Sequence, residues 1–131
     1  MNGLLYVALG GAIGASGRYL LGGLAFRIFG PGYPWGTLMA NVLGGFIMGM
    51  VVGWLAHRGS AMAGGAANLR LFLAVGVLGG FTTFSAFSLE VLQMMERKTY
   101  GLAFGYMSVS VGLSVLAVFV GMMLARKLFI I

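Results

Sequence analysis

Four apolar runs, each longer than the roughly 20 residues a helix needs to cross a bilayer, occupy most of this 131-residue chain. They cover residues 4–26, 35–56, 69–95 and 102–124. The connections, 27–34, 57–68 and 96–101, leave no room for a soluble domain, so residues 1–131 are read as one transmembrane domain. Hydrophobic residues make up 60% of the chain and charged residues only 8%, a balance that excludes a soluble domain of this size. Hydrocarbon offers no partners to backbone N–H and C=O groups, which leaves helices as the spanning element for runs of this length. The expected fold is an all-α membrane protein with four transmembrane helices. Halves and quarters show no internal repeat.

The first run is read as retained rather than cleaved, because Met1-Asn2-Gly3 lacks the basic region of a signal peptide and the run is too long for its apolar core. There is no cysteine, so disulfides, thiolate metal sites and cysteine nucleophiles are excluded. The net charge of +6 does not mark nucleic-acid binding, since the basic residues are spread over loop ends. Four spans place both termini on one side. Arg58, Arg70, Arg126 and Lys127 lie there, against Arg27, Arg97 and Lys98 on the other, with Arg18 inside the first span. The positive-inside rule normally separates two sides clearly. Its near balance here points to insertion in both orientations, which permits an antiparallel, dual-topology homodimer with its two-fold axis in the membrane plane; the alternative is a fixed orientation set weakly by Arg126 and Lys127.

The third run is interrupted at its centre by Gly79-Gly80-Phe81-Thr82-Thr83-Phe84-Ser85-Ala86-Phe87-Ser88. The glycine pair is expected to break the helix at mid-membrane. Broken backbone at that depth must be buried in protein or line a polar cavity. If helix resumes beyond the glycines, Phe84, Phe87 and Ser88 share a face, and their neighbours Thr83 and Ser85 add hydroxyls. Rings on a membrane helix ordinarily face lipid or core, but a face mixing ring edges with hydroxyls is unusual for plain packing.

Other spans carry similar signals. Gly45, Gly49 and Gly53 form a small-residue seam on the second span, and Gly10/Gly14 and Gly76/Gly80 repeat the spacing. Asn41 lies one turn before Gly45 on the same face, about 9 Å below Trp35 at the water interface. It is either an interhelical hydrogen-bond partner or a pore-lining donor. Tyr106, Ser110 and Ser114 align three hydroxyls on the fourth span, although a serine can also bond the carbonyl one turn back. Ionisable groups inside spans are Arg18 and Glu90; for Glu90, near the end of the third, snorkelling to the interface is the favoured reading. Amide, hydroxyl and backbone N–H donors, Arg18 and the positive edges of phenylalanine rings all suit an anion. Neutral donors bind a small hydrated anion without holding it too tightly to leave.

The stretches 36–45 (GTLMANVLGG) and 79–88 (GGFTTFSAFS), with 14–19 (GASGRY), resemble the fluoride channels of the Fluc/CrcB family over essentially the whole chain. The resemblance implies a bacterial inner-membrane homodimer with two antiparallel pores conducting fluoride passively and selectively over chloride. It implies pore residues Phe84, Phe87 and Asn41, a polar track at Tyr106 and Ser110, and Arg18 in the vestibule. It further implies a structural Na+ at the dimer centre, held by the backbone carbonyls of Gly79 and Thr82. Position 86 departs: Ala86 stands where the family often has threonine, and it receives no role.

A small multidrug transporter subunit is the main rival, being equally short and dual-topology. Such a transporter needs an embedded carboxylate; the first span carries Arg18 instead, and Glu90 is the only other candidate. A structural subunit would leave the polar stripes unexplained. An enzyme is not expected, because the only histidine, His57, sits at a loop boundary with no neighbouring acid or thiol.

Overall fold

A computed structural model describes residues 2–58 and 65–130; the middle of the connection expected at 57–68 lies outside them. The described residues form helices α1 (Asn2–Phe29), α2 (Trp35–Arg58), α3 (Gly65–Arg70), α4 (Gly79–Phe81), α5 (Ser85–Glu96) and α6 (Tyr100–Ile130), and a π-helical stretch, Leu71–Leu78, joins α3 to α4. Four helical segments are long and apolar enough to cross a membrane: Gly3–Phe29, Trp35–Arg58, Gly65–Glu96 and Tyr100–Phe129. The third starts four residues before the expected 69. The fourth continues beyond 124, because a helix does not end where apolarity does, and Arg126 and Lys127 are exposed on its last turns.

The turns have local causes. Gly30, at φ +78°, ends α1, donating its N–H to the Phe26 carbonyl at 2.9 Å. Pro31 and Pro34 then carry the chain into α2. Between α5 and α6, Lys98 adopts φ 62°, and the N–H and hydroxyl of Thr99 both bond the Met94 carbonyl, at 3.0 and 2.8 Å.

Glycines set the packing. The most extensive contact is α2 on α6. A Cβ at Gly49 would collide with the Val118 carbonyl, and one at Gly121 with the Phe46 carbonyl. Backbones therefore touch where lipid gives no hydrophobic drive for association and close van der Waals fit must supply it. On the other side α1 lies against the π-helical stretch. The Phe72 and Val77 carbonyls face Gly10 and Gly14, a geometry suited to Cα–H···O contacts. A small core of Leu38, Phe87, Val91, Met94, Ala103 and Tyr106 fills the space between α2, α5 and α6.

The third span is interrupted near its middle, but not at the glycines. Gly79 is helical (φ −62°, ψ −38°), and α4 includes Gly80 and Phe81. The chain first leaves the helix at Thr82 (φ −83°, ψ 157°) and re-enters it at Ser85. The expectation that Gly79-Gly80 makes the break is therefore corrected. Gly80 serves close packing instead: a Cβ there would lie 2.8 Å from the Gly11 carbonyl of α1.

Candidate functional site

Beside the interruption lies a cavity of about 390 Å³ bounded by α2, α5 and α6. Asn41, Thr82, Thr83, Phe84, Phe87, Ser110 and Ser114 line it together with Gly44, Gly45, Met48 and the α6 valines 111, 115 and 118. No charged side chain lines it. The fold thus brings together Asn41, Thr83, Phe84, Phe87, Ser110 and Ser114 from three helices remote in sequence.

The cavity wall is held by hydrogen bonds to the interruption. Asn41 Oδ1 accepts from the Thr83 N–H at 2.8 Å, and Asn41 Nδ2 donates to the Thr83 carbonyl at 3.0 Å. One amide hydrogen of Asn41 remains. Thr83 Oγ1 accepts from the Ala86 N–H at 3.2 Å and so caps α5, with Ser85 Oγ at 3.3 Å. Thr82 Oγ1 donates back to the Leu78 carbonyl at 2.9 Å, beside the Thr82 N–H bond to the same oxygen at 3.0 Å.

The hydroxyls of Ser110 and Ser114 are buried and make no hydrogen bond of good geometry, with the Tyr106 hydroxyl, one turn back on α6, beside Ser110. A buried hydroxyl left unpaired costs about 1–3 kcal/mol, and both serines belong to the lining of the cavity. The rings complete the wall. Phe84 and Phe87 lie 5.6 Å apart at 46°, and Phe87 lies 5.2 Å from Tyr106. Phe87 is buried, whereas Phe84 is 77% exposed on the isolated chain.

Some expected site residues lie elsewhere. Tyr106 is buried beneath the cavity, and its hydroxyl donates to Glu90 Oε1 at 2.9 Å. Ser85 and Ser88 are exposed on the outer face with Phe84, and Ser88 Oγ donates to the Phe84 carbonyl at 2.9 Å. Arg18 stands across the interruption from the cavity, its Nε donating to the Gly80 carbonyl at 3.3 Å. It borders a separate cleft with Arg27 and Thr37.

Glu90 lies towards the interface, in a cleft it shares with Pro34, Trp35, Arg97 and Thr99, but its carboxylate is held there: Thr37 Oγ1 donates to its Oε2 at 2.8 Å while the Tyr106 hydroxyl donates to Oε1. A signal for this existed, since Thr37 is one turn before Asn41 and Glu90 is three residues after Phe87.

Two carbonyls at the interruption lose the donors a continuous helix would give them. The Thr83 N–H, which would reach Gly79, goes to Asn41; the Ala86 N–H, which would reach Thr82, goes to the Thr83 hydroxyl. Among the described residues no cluster of His, Cys, Asp or Glu gathers to hold a metal.

The sequence has known relatives. A family model described as CrcB-like protein, Camphor Resistance (CrcB), matches residues 5–122. The chain belongs to the CrcB family. Membership is supported along its length. A protein of Phenylobacterium zucineum (strain HLK1) named fluoride-specific ion channel FluC is 58% identical over 129 residues, covering 98% of this chain and 99% of that one. Proteins of the same name from Caulobacter vibrioides (strain NA1000 / CB15N) and Agrobacterium fabrum (strain C58 / ATCC 33970) are 53% and 46% identical over 129 residues, covering 98% of this chain and 99% and 100% of theirs. Membership in a family of channels sets aside the multidrug-transporter and structural-subunit alternatives, and the chain is not an enzyme.

Proposed function

We propose that this chain is a fluoride-selective channel of a bacterial inner membrane that lets fluoride leave the cytoplasm passively, lowering its concentration there. The observation that carries this reading is an uncharged cavity beside the interruption, walled by phenylalanine rings and lined by Asn41, Thr83, Ser110 and Ser114. A small anion accepts from both hydroxyls and from the free Asn41 amide hydrogen. The positive edges of Phe84 and Phe87 add weak attraction. Fluoride, small and a strong acceptor, gains more from close O–H donors than chloride does, and no fixed charge in the wall traps it. Arg18 draws anions towards the interruption from the opposite side.

The working unit is an antiparallel homodimer with two pores, assembled from chains inserted in both orientations. Its support is the outer face of α5. Phe84, Ser85 and Ser88 are exposed beside interrupted backbone at the middle of the span, where bare lipid leaves polar groups unsatisfied. A second copy covers that face, and Thr83, Ser85 and Ser88 then lie along the pathway.

A structural Na+ sits between the two copies on the Gly79 and Thr82 carbonyls. The fit rests on the diverted donors, which leave these two oxygens free, as a hard cation requires. When bound, the ion offers a positive charge that ties the two interruptions together. The Thr82 hydroxyl takes no part, being committed to Leu78. Thr82→Val therefore leaves sodium affinity unchanged, and an affinity loss in a sodium titration would contradict the carbonyl assignment.

Fluoride release from liposomes holding purified protein tests the function, with chloride and a lipophilic cation as controls. Release is expected without ATP or an imposed proton gradient; equal release of chloride would sink the selectivity.

A further inference from the structure

The interruption has no covalent cause. No proline occurs between Leu71 and Glu96, the two glycines are helical, and the positive-φ residues are Lys98 and Gly30, both outside it. Up to Thr82 the ladder is intact, with the Thr82 N–H on the Leu78 carbonyl at 3.0 Å. The next rung is the one that fails, and it fails because a side chain from another helix takes it. Asn41 meets Thr83 as one peptide meets another in a sheet, accepting from its N–H at 2.8 Å and donating to its carbonyl at 3.0 Å. With Thr83 held outside the helix, its hydroxyl is free to cap α5 through the Ala86 N–H.

We infer that Asn41 is a latch: a positioning residue whose amide holds Thr83 out of the third helix and thereby keeps the Gly79 and Thr82 carbonyls free. The inference rests on the sodium reading only for what those carbonyls hold. Without the amide, the Thr83 N–H returns to Gly79 and the helix reseals by one turn. The side-chain amide offers an acceptor and a donor on two adjacent atoms of one plane, which matches the Thr83 N–H and carbonyl. Aspartate keeps the acceptor but sets a second oxygen against the Thr83 carbonyl; valine offers neither. The latch also explains the alignment of Asn41 with the glycine seam, because close approach of α2 to α6 fixes the helix that carries it.

The test uses the full-length protein in bilayers. Magnetic resonance of isotope-labelled Gly79 and Thr82 carbonyls is recorded without sodium, and sodium affinity is measured separately. In the wild type, a cross-peak between the Thr83 amide and the Asn41 side chain is expected; its absence would overturn the latch whatever any variant does. Asn41→Val should move the Gly79 carbonyl to the position of a bonded helical one and lower sodium affinity about tenfold, the worth of one or two hydrogen bonds. Asn41→Asp, which retains half the pairing, should lower affinity less and serves where the valine variant does not assemble. Ser110→Ala should move neither readout while reducing fluoride flux. Fluoride flux lost in an Asn41 variant with both readouts unchanged would make Asn41 a pore ligand alone. Should the wild type bind no sodium, the sodium reading fails and the carbonyl resonance by itself decides the latch.

Discussion

Phe84 and Phe87 are neighbours in one wall with opposite surroundings, and isoleucine separates their roles. At either position it keeps apolar bulk and removes the ring quadrupole. Fluoride flux should fall about tenfold for each, the order expected from losing an aromatic edge in a dry site. Stability should respond differently. Phe87 is buried against Tyr106 and Phe84, so Phe87→Ile should also cost about 1–2 kcal/mol through two lost aromatic contacts. Phe84→Ile should cost the isolated chain almost nothing, because the ring is 77% exposed there. Flux measured beside unfolding of the same variants checks both, and unchanged flux would return the rings to a packing role. These residues, with Asn41, Ser110 and Ser114, were legible from residue type and spacing. Spacing alone left the alternatives for Asn41 and the serines open. Their partners come from other helices, and a one-dimensional pattern does not show them. Glu90 is the clearest case: its position near the end of a span pointed to the interface, where it lies, but not to Thr37 and Tyr106, which hold its carboxylate there.

At the scale of the element, glycines carry different loads that sequence did not distinguish. At Gly49 the Val118 backbone leaves no space for a Cβ, so Gly49→Val should push α2 off α6 and destabilise the fold by about 1–3 kcal/mol or more. At Gly79 the backbone is helical and the nearest atom to an added methyl is the Ala74 carbonyl oxygen at 3.5 Å, an ordinary contact. Within the single chain Gly79→Ala should therefore fold and gain up to about 1 kcal/mol from helix propensity. Thermal unfolding of the two variants in detergent checks the contrast, and loss of structure on Gly79→Ala would restore the glycine as the cause of the break. The presence of an interruption was legible from the glycine pair and the hydroxyls after it. Its place was not, because the residue that displaces Thr83 lies 42 positions away on α2. Glycine marks where backbones approach as often as where helices stop, and the two uses look alike in sequence.

For the whole molecule, the near balance of basic residues between the two sides, four against three, is a property no single helix holds. Adding two or three lysines to one side should bias insertion and deprive an antiparallel dimer of one orientation. Flux should then fall for either biased variant alone and return when oppositely biased variants are coexpressed; full flux from one biased variant would argue against the antiparallel assembly. The central claim, passive and selective fluoride conduction, is tested most directly by a reversal potential. Purified protein in a planar bilayer is bathed by fluoride on one side and an equal concentration of chloride on the other, with sodium on both. The current should reverse at a strongly displaced voltage, of the sign that stops fluoride leaving its side, and should not shift when pH is changed equally on both sides. Reversal near zero voltage would mean that chloride passes as readily as fluoride, and would contradict the account.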